Sequence, residues 1–254
     1  MAITIKSERE IELMAEAGKI LERVHNELEK ALRPGMSTKD IDTLGEEIIR
    51  SYGCTPSFLN YNGYPASICV SVNQEVVHGI PDKHRIIQEG DIVSLDAGVI
   101  YKGYHSDAAR THAVGEVSEE AKKLIQVTKE SFFEGIKFAK AGNHLFDISG
   151  AIGRYAEERG YGVVRDLCGH GIGTALHEAP EIPNYEVGRK GVRLRPGMTL
   201  AIEPMINIGT YEVDWLDDDW TVVTRDGSLS AHYENTILIT EGEPRILSLT
   251  CENE

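Results

Sequence analysis

Four carboxylates and one imidazole, spread over 139 positions of a 254-residue chain, carry the clearest chemical signal in the sequence: Asp96, Asp107, His170, Glu203 and Glu234. Asp96 closes the apolar run IVSLD, and Asp107 follows eleven residues later in YKGYHSDAARTH. A hairpin turning at Lys102-Gly103 would put these two aspartates on adjacent strands, facing each other. Close carboxylates repel unless they share a proton or a cation, and desolvation adds to the cost. Glu203 ends TLAIE, and Pro204 holds it extended and stops the strand. Glu234 lies in SLSAHYENTILIT, read as the interior of an apolar strand, where a buried carboxylate needs a partner. His170 sits in CGHGIG, a glycine-rich loop through which a backbone can approach closely. His177 follows in LHEAP, and imidazole serves both as neutral metal ligand and as acid or base near neutral pH. The loop lacks the Lys and Ser/Thr order of a phosphate-binding P-loop.

An oxygen-rich set with one imidazole suits Mn, Fe or Co, with Zn also admissible, better than a structural zinc. Four carboxylates are too much negative charge for one divalent ion. Two ions sharing carboxylates and a water balance it, an arrangement that acts on nucleophile and substrate oxygen together. Taken singly, each of these acids is as readily a cap, a turn residue or a solvated strand end.

The elements that must position these residues are legible in outline. Residues 7–31 form an amphipathic helix, with Ser7 and Glu10 as capping box and Ile11, Met14, Leu21, Val24 and Leu28 at helical spacing. Residues 37–51, 118–140 and 144–159 read as further helices. Residues 67–77 read as strand and turn, and 91–99, 111–114, 198–208, 220–224 and 233–239 as strands. An offset of 107 aligns Gly35 with Gly142, Asp40 with Asp147, Gly53 with Gly160, Gly90 with Gly197 and Asp96 with Glu203. This predicts an internal duplication: one α+β domain over 1–254, its halves roughly 1–130 and 131–254, with acids from both meeting at the centre.

Composition is that of a globular protein, with 41% hydrophobic and 26% charged residues. A net charge of −15 opposes nucleic acid as main ligand. No apolar run approaches the roughly 20 residues of a membrane span, and no secretory signal is read. Cys54, Cys69, Cys168 and Cys251 form no C-x-x-C pair and are expected to be free thiols in the cytoplasm. The acidic run Asp214 to Asp219 reads as a solvated loop.

In order along the chain, NQEVVHGIPD, DIVSLDAGV with HSDAARTH, CGHGIG with LHEAP, PGMTLAIEPM and WTVVTRDGSLSAHYENT closely resemble the type I methionine aminopeptidases over nearly the whole length. The resemblance implies a pita-bread fold, with two pseudo-symmetric halves around a central antiparallel sheet. It implies Asp96 as chelating ligand of one metal, Asp107 and Glu234 as bridges, and His170 and Glu203 completing the other. Glu203 would also shuttle protons. His78 would hydrogen-bond near the scissile amide and His177 would contact the substrate carbonyl. Tyr61, Tyr64, Cys69 and Trp220 would line a pocket for the methionine side chain. The implied substrates are nascent polypeptide N-termini with a small second residue. The chain is expected to be a monomer, with docking at the ribosomal exit left open. Phe58, Asn62, Leu176, His232 and Asn235 depart from the commoner family pattern, which bears on pocket shape rather than on the reaction. Two rivals share the fold. An aminopeptidase P or prolidase-like peptidase is opposed by the VVHGIPD motif and the short chain. A non-catalytic binding protein is opposed by the full ligand set.

Overall fold

The computed structural model describes residues 3–249; Cys251 lies outside them. Helices α1 (Glu8–Ala31) and α2 (Thr38–Ser51) precede β1 (Thr55–Pro56), β2 (Ile68–Val72), β3 (Glu75–Val77), β4 (Ile92–Tyr101) and β5 (Tyr104–Ala113). Helices α3 (Glu119–Ile136) and α4 (Leu145–Glu157) precede β6 (Gly162–Val163), β7 (Gly169–Gly171), β8 (Glu178–Ile182), β9 (Thr199–Ile202) and β10 (Met205–Asn207). The chain continues with β11 (Val213–Trp215), β12 (Val222–Thr224), β13 (Ser230–His232), β14 (Asn235–Leu238) and β15 (Arg245–Ile246).

Local chemistry starts each helix where a side chain can satisfy the free N–H groups of the first turn. The Ser7 N–H donates to Glu10 Oε2 at 2.8 Å, and the Ser37 N–H to Asp40 Oδ2 at 2.8 Å. The His144 N–H does the same with Asp147 Oδ2, also at 2.8 Å. The third helix stops at Ile136, short of the 140 read from the sequence. There the Ala139 N–H turns back to the Ile136 carbonyl and the Asn143 amide takes the Phe138 carbonyl, which ends the α-helical ladder.

All strand pairs are antiparallel and fall into four hydrogen-bonded sheets. In one, β4 is flanked by β1, β2 and β5; α1 and α2 pack over it, with Leu21, Val24, Ile41 and Ile49 against Val70, Val93 and Leu95. In another, ordered β15-β14-β9-β7-β8, α3 and α4 bury Phe132, Ile148 and Ile152 against Leu200, Ile202 and Ile237. Backbone bonds stitch the two together: Ala109 and Glu234 exchange N–H···O bonds of 3.4 and 3.0 Å. Thr236 Oγ1 accepts from the Asp107 N–H at 2.9 Å and donates to the Asp107 carbonyl at 3.0 Å. Among the described residues no helix is long and apolar enough to cross a membrane.

Four local readings change. Asp96 does not end its strand but lies within β4, which runs on to Tyr101 before the turn at Lys102-Gly103. His170 sits on the short strand β7 rather than in a loop; its flanking glycines leave no apolar alternation to read. Glu234 occupies the break between β13 and β14, not a strand interior. The run 214–219 is exposed, but Asp214 and Trp215 belong to β11.

Candidate metal and peptide site

In the β4–β5 ladder Asp107 pairs with Gly98 and Asp96 with Ala109, so the aspartates are diagonal neighbours on one face. They are therefore not directly opposed, as a simple hairpin reading would have them. Strand β9 delivers Glu203 at its end, β7 delivers His170, and the β13–β14 break delivers Glu234. Ligand-capable atoms of Asp107, His170 and Glu234 lie within 4.8 Å of one another. His170 Nε2 is 3.9 Å from Asp107 Oδ2 and 3.6 Å from Glu203 Oε1. Asp96 and Glu203 line the same cavity as these three.

The glycines beside His170 are required by strand packing. A Cβ on Gly169 would lie 2.4 Å from the Ala201 carbonyl oxygen, and one on Gly171 would lie 2.1 Å from that of Ala179. The sequence reading of close backbone approach holds, but the partners are β9 and the start of β8.

Electrostatics give the donor set its meaning. Burial pushes the Asp96 carboxyl up to about 7. Burial first, and then the charges of Asp96 and Glu203, push Asp107 well up. Burial and then Asp96 push Glu203 well up, and burial and then Asp107, Glu203 and Asp96 push Glu234 well up. Asp96 Oδ1, Asp107 Oδ1 and Glu234 Oε1 are buried without a hydrogen-bond partner. His170 is held down to about 3, by burial and then by His177. Its Nδ1–H donates to the Gly171 carbonyl at 2.9 Å, which leaves the Nε2 lone pair facing carboxylate oxygens. A lone pair aimed at carboxylates, beside three bare carboxylate oxygens, fits cations and little else. The donor set thus suits divalent ions, with Asp107, His170 and Glu234 as the tightest group.

The cavity that these residues share has a volume of about 120 Å³. Its apolar wall includes Tyr64, Cys69, Trp220, Phe58 and Leu176. The Tyr64 and Trp220 rings meet edge to face at 5.1 Å, and Tyr64 Oη donates to the Gly79 carbonyl at 2.9 Å. His78 lines the cavity with φ +60°, its ring 6.3 Å from Trp220. Burial, and then His177, lowers it to about 4. His177 stands exposed at the mouth, its ring 4.2 Å from that of His170. Tyr61 Oη lies 2.9 Å from His177 Nδ1.

All the ligand, histidine and pocket residues expected from the sequence therefore border one cavity, whereas His232 and Asn235 do not line it. Sequence reasoning missed three roles: Tyr61 as a partner of His177, Thr236 as the hydroxyl bracketing the Asp107 backbone, and His232, noted only as a departure from the family pattern, as a neighbour of Glu203. The last is buried, its Nε2 3.7 Å from Glu203 Oε2. The polar alternation of SLSAHYENT, with Thr236 and His232 two residues either side of Glu234, was the available signal.

Comparison with known proteins agrees with this geometry. Residues 12–241 match the model of metallopeptidase family M24. The methionine aminopeptidase of Clostridium acetobutylicum is 58% identical, covering 98% of this chain and 100% of its own. The crystal structure of the methionine aminopeptidase of Thermotoga maritima superposes with a TM-score of 0.96 at 47% identity, over 98% of this chain and 100% of that one. An Xaa-Pro dipeptidase of Bacillus anthracis gives a TM-score of 0.77 at 28% identity, over 97% of this chain but 62% of that one.

Proposed function

The chain belongs to the methionine aminopeptidases of metallopeptidase family M24 and removes the N-terminal methionine of polypeptides, and we propose that it does so with the residues gathered around this cavity. The observation that carries the assignment is the set of bare, buried carboxylate oxygens on Asp96, Asp107 and Glu234 in one cavity with an apolar wall of Phe58, Tyr64, Cys69, Leu176 and Trp220.

Asp96, Asp107, His170, Glu203 and Glu234 would hold two divalent ions, drawn from Mn, Fe or Co, with Zn also accommodated by the donor types. The ions supply Lewis-acid polarisation and a water of lowered pKa. Everything else falls to the side chains. With the Tyr61 hydroxyl as donor to His177 Nδ1, 2.9 Å away, His177 would carry its proton on Nε2 and donate that N–H to the scissile carbonyl oxygen as negative charge grows there. Glu203 takes the proton of the attacking water and returns it to the leaving amine. Neutral His78 donates to the backbone of the scissile amide. Tyr61, Tyr64, Cys69 and Trp220 enclose the methionine side chain. At about 120 Å³ the cavity is well below the roughly 300–1,000 Å³ of drug-sized sites, which favours one side chain over a dipeptide. The crowding of His177 against the mouth favours a small second residue. The substrates are nascent chains met in the cytoplasm, and the enzyme acts as a monomer.

We propose further that the two halves are duplicates. Backbone features repeat at the offset of 107: φ is +90° at Gly35 and +92° at Gly142, and +92° at Gly90 and +85° at Gly197. The isolated bridges Ser37–Ile86 and His144–Arg193 are related by the same shift.

Calorimetric titration of the metal-stripped chain with Mn(II) tests the ligand set. Two ions per chain in wild type, falling to one or none in Glu234→Gln, is the expected result. A single ion bound equally by both proteins would contradict it.

A further inference from the structure

We propose that Lys6 is a positioning residue for His177, acting through a buried ion pair with Glu178. The inference rests on the assignment of His177 to the scissile carbonyl. Lys6 Nζ lies 2.6 Å from Glu178 Oε2, and the two side chains are 5% and 11% exposed. Glu178 also accepts from Thr4 Oγ1 at 2.6 Å through Oε2 and from the Ala175 N–H at 3.3 Å through Oε1. One carboxylate thus joins the segment before α1 to the turn that carries His177.

Besides Glu178, the turn is anchored at the His177 ring, whose Nδ1 lies 2.9 Å from Tyr61 Oη, and by two backbone bonds. Thr174, Ala175 and His177 are exposed, while Leu176 is buried against the cavity. Its backbone is held by the Gly173 N–H on the Ala175 carbonyl at 3.1 Å and by the His105 N–H on the Gly173 carbonyl at 2.8 Å. Past it, β8 begins at Glu178, opposite Gly171, just where the pairing with β7 shifts register. His177 is the last residue of the bend and Glu178 the first of β8, so fixing the Glu178 side chain restrains the backbone rotation that aims the neighbouring His177.

The far end of the link is firm. The Lys6 N–H donates to the Gly197 carbonyl at 2.8 Å. A Cβ on Gly173 would sit 2.5 Å from both Glu178 Oε1 and Lys6 Cε, so the pair is packed directly against the turn. A buried carboxylate stripped of its cation must recover solvent or gain a proton. Glu178 does the first by swinging outward, and His177 turns with it. Of the apolar cavity wall, Phe58, Tyr64, Cys69 and Trp220 lie outside that turn and only Leu176 lies within it, so the loss falls mainly on the chemical step.

The test is steady-state release of methionine from Met-Ala-Ser by the Mn(II)-loaded enzyme, in wild type, Lys6→Met, Glu178→Gln and the double variant, with bound metal and thermal melting measured on each. Displacing a catalytic group by about 1 Å costs on the order of 10²-fold. Lys6→Met is expected to lose about 10- to 100-fold in kcat with KM within about twofold and metal content unchanged. The double variant is expected to recover at least about fivefold over Lys6→Met, because no uncompensated charge is left behind. Wild-type kcat in Lys6→Met, or a loss proportional to lost metal or lost folded protein, would overturn the role. Should Lys6→Met not fold, Glu178→Gln decides: a lowered kcat at constant KM supports the link, and wild-type kcat overturns it. Inactivity of the wild type itself would count against the assigned activity rather than against Lys6.

Discussion

Tyr61 and His177, 116 residues apart in sequence, meet at the mouth of the cavity with Oη 2.9 Å from Nδ1 and ring centroids 5.1 Å apart, edge to face. A hydroxyl donating to Nδ1 selects the tautomer with a proton on Nε2, the form able to donate to a carbonyl. Removing one neutral hydrogen bond costs about 0.5–1.5 kcal/mol. Tyr61→Phe should therefore lower kcat about 2- to 10-fold with little change in KM, since the ring still lines the cavity. An unchanged kcat would detach Tyr61 from the chemistry.

The raised carboxyls of the centre make the metal-free protein sensitive to alkali. For Asp96 the folded value is about 7 and the unfolded value about 3.9, so the folded chain binds more protons between them. Stability then falls as pH rises through that window and is lowest above the folded value. His78, His170 and His232, all depressed to between about 3 and 4, pull the other way but only below about 6.5. The clean interval is therefore pH 6.5 to 8. There the melting temperature of metal-stripped Asp96→Asn should exceed that of metal-stripped wild type by a margin that grows with pH. A constant margin would show that Asp96 does not titrate in this range.

Asp107→Asn separates stability from activity. The substitution relieves repulsion among buried carboxylates, so the metal-free variant should melt at or above the wild-type temperature. With metal supplied it should lose most of its activity, by at least the roughly 10- to 100-fold that loss of even an outer-shell partner costs. A variant that is both less stable without metal and fully active with it would contradict the reading of these carboxylates as ligands.

The glycine before His170 carries a steric demand. Gly169→Ala brings a methyl within 2.4 Å of a backbone oxygen on β9 and must part β7 from β9. Overpacking of this kind costs about 1–3 kcal/mol. Chemical denaturation should register that loss, together with weaker metal binding through the displaced imidazole. Wild-type stability would mean that β7 and β9 yield without strain.

What the sequence displays here is chemistry attached to short, local patterns. The capping boxes at Ser7 and Ser37, the hairpin at Lys102-Gly103 and the glycines around His170 each announce a local backbone need, and each is present in the structure. What it conceals depends on topology. Nothing near Lys6 points to Glu178, 172 residues away, and nothing near Asp107 points to Thr236, 129 residues away. Gly-His-Gly offers no alternation from which to read a strand, and Glu234 falls in a break that the apolar run Ile237 to Ile239 just after it disguises. The ligands declare their kind by residue type; the residues that orient them are declared only by the fold.

The most direct test of the central claim is product analysis on three peptides, Met-Ala-Ser, Met-Lys-Ser and Ala-Pro-Ser, with the metal-stripped chain before and after addition of Mn(II) or Co(II), beside Glu203→Ala. The site described here predicts metal-dependent release of methionine from Met-Ala-Ser alone, lost in the variant. Cleavage before proline, or release of methionine at the wild-type rate by Glu203→Ala, would contradict it.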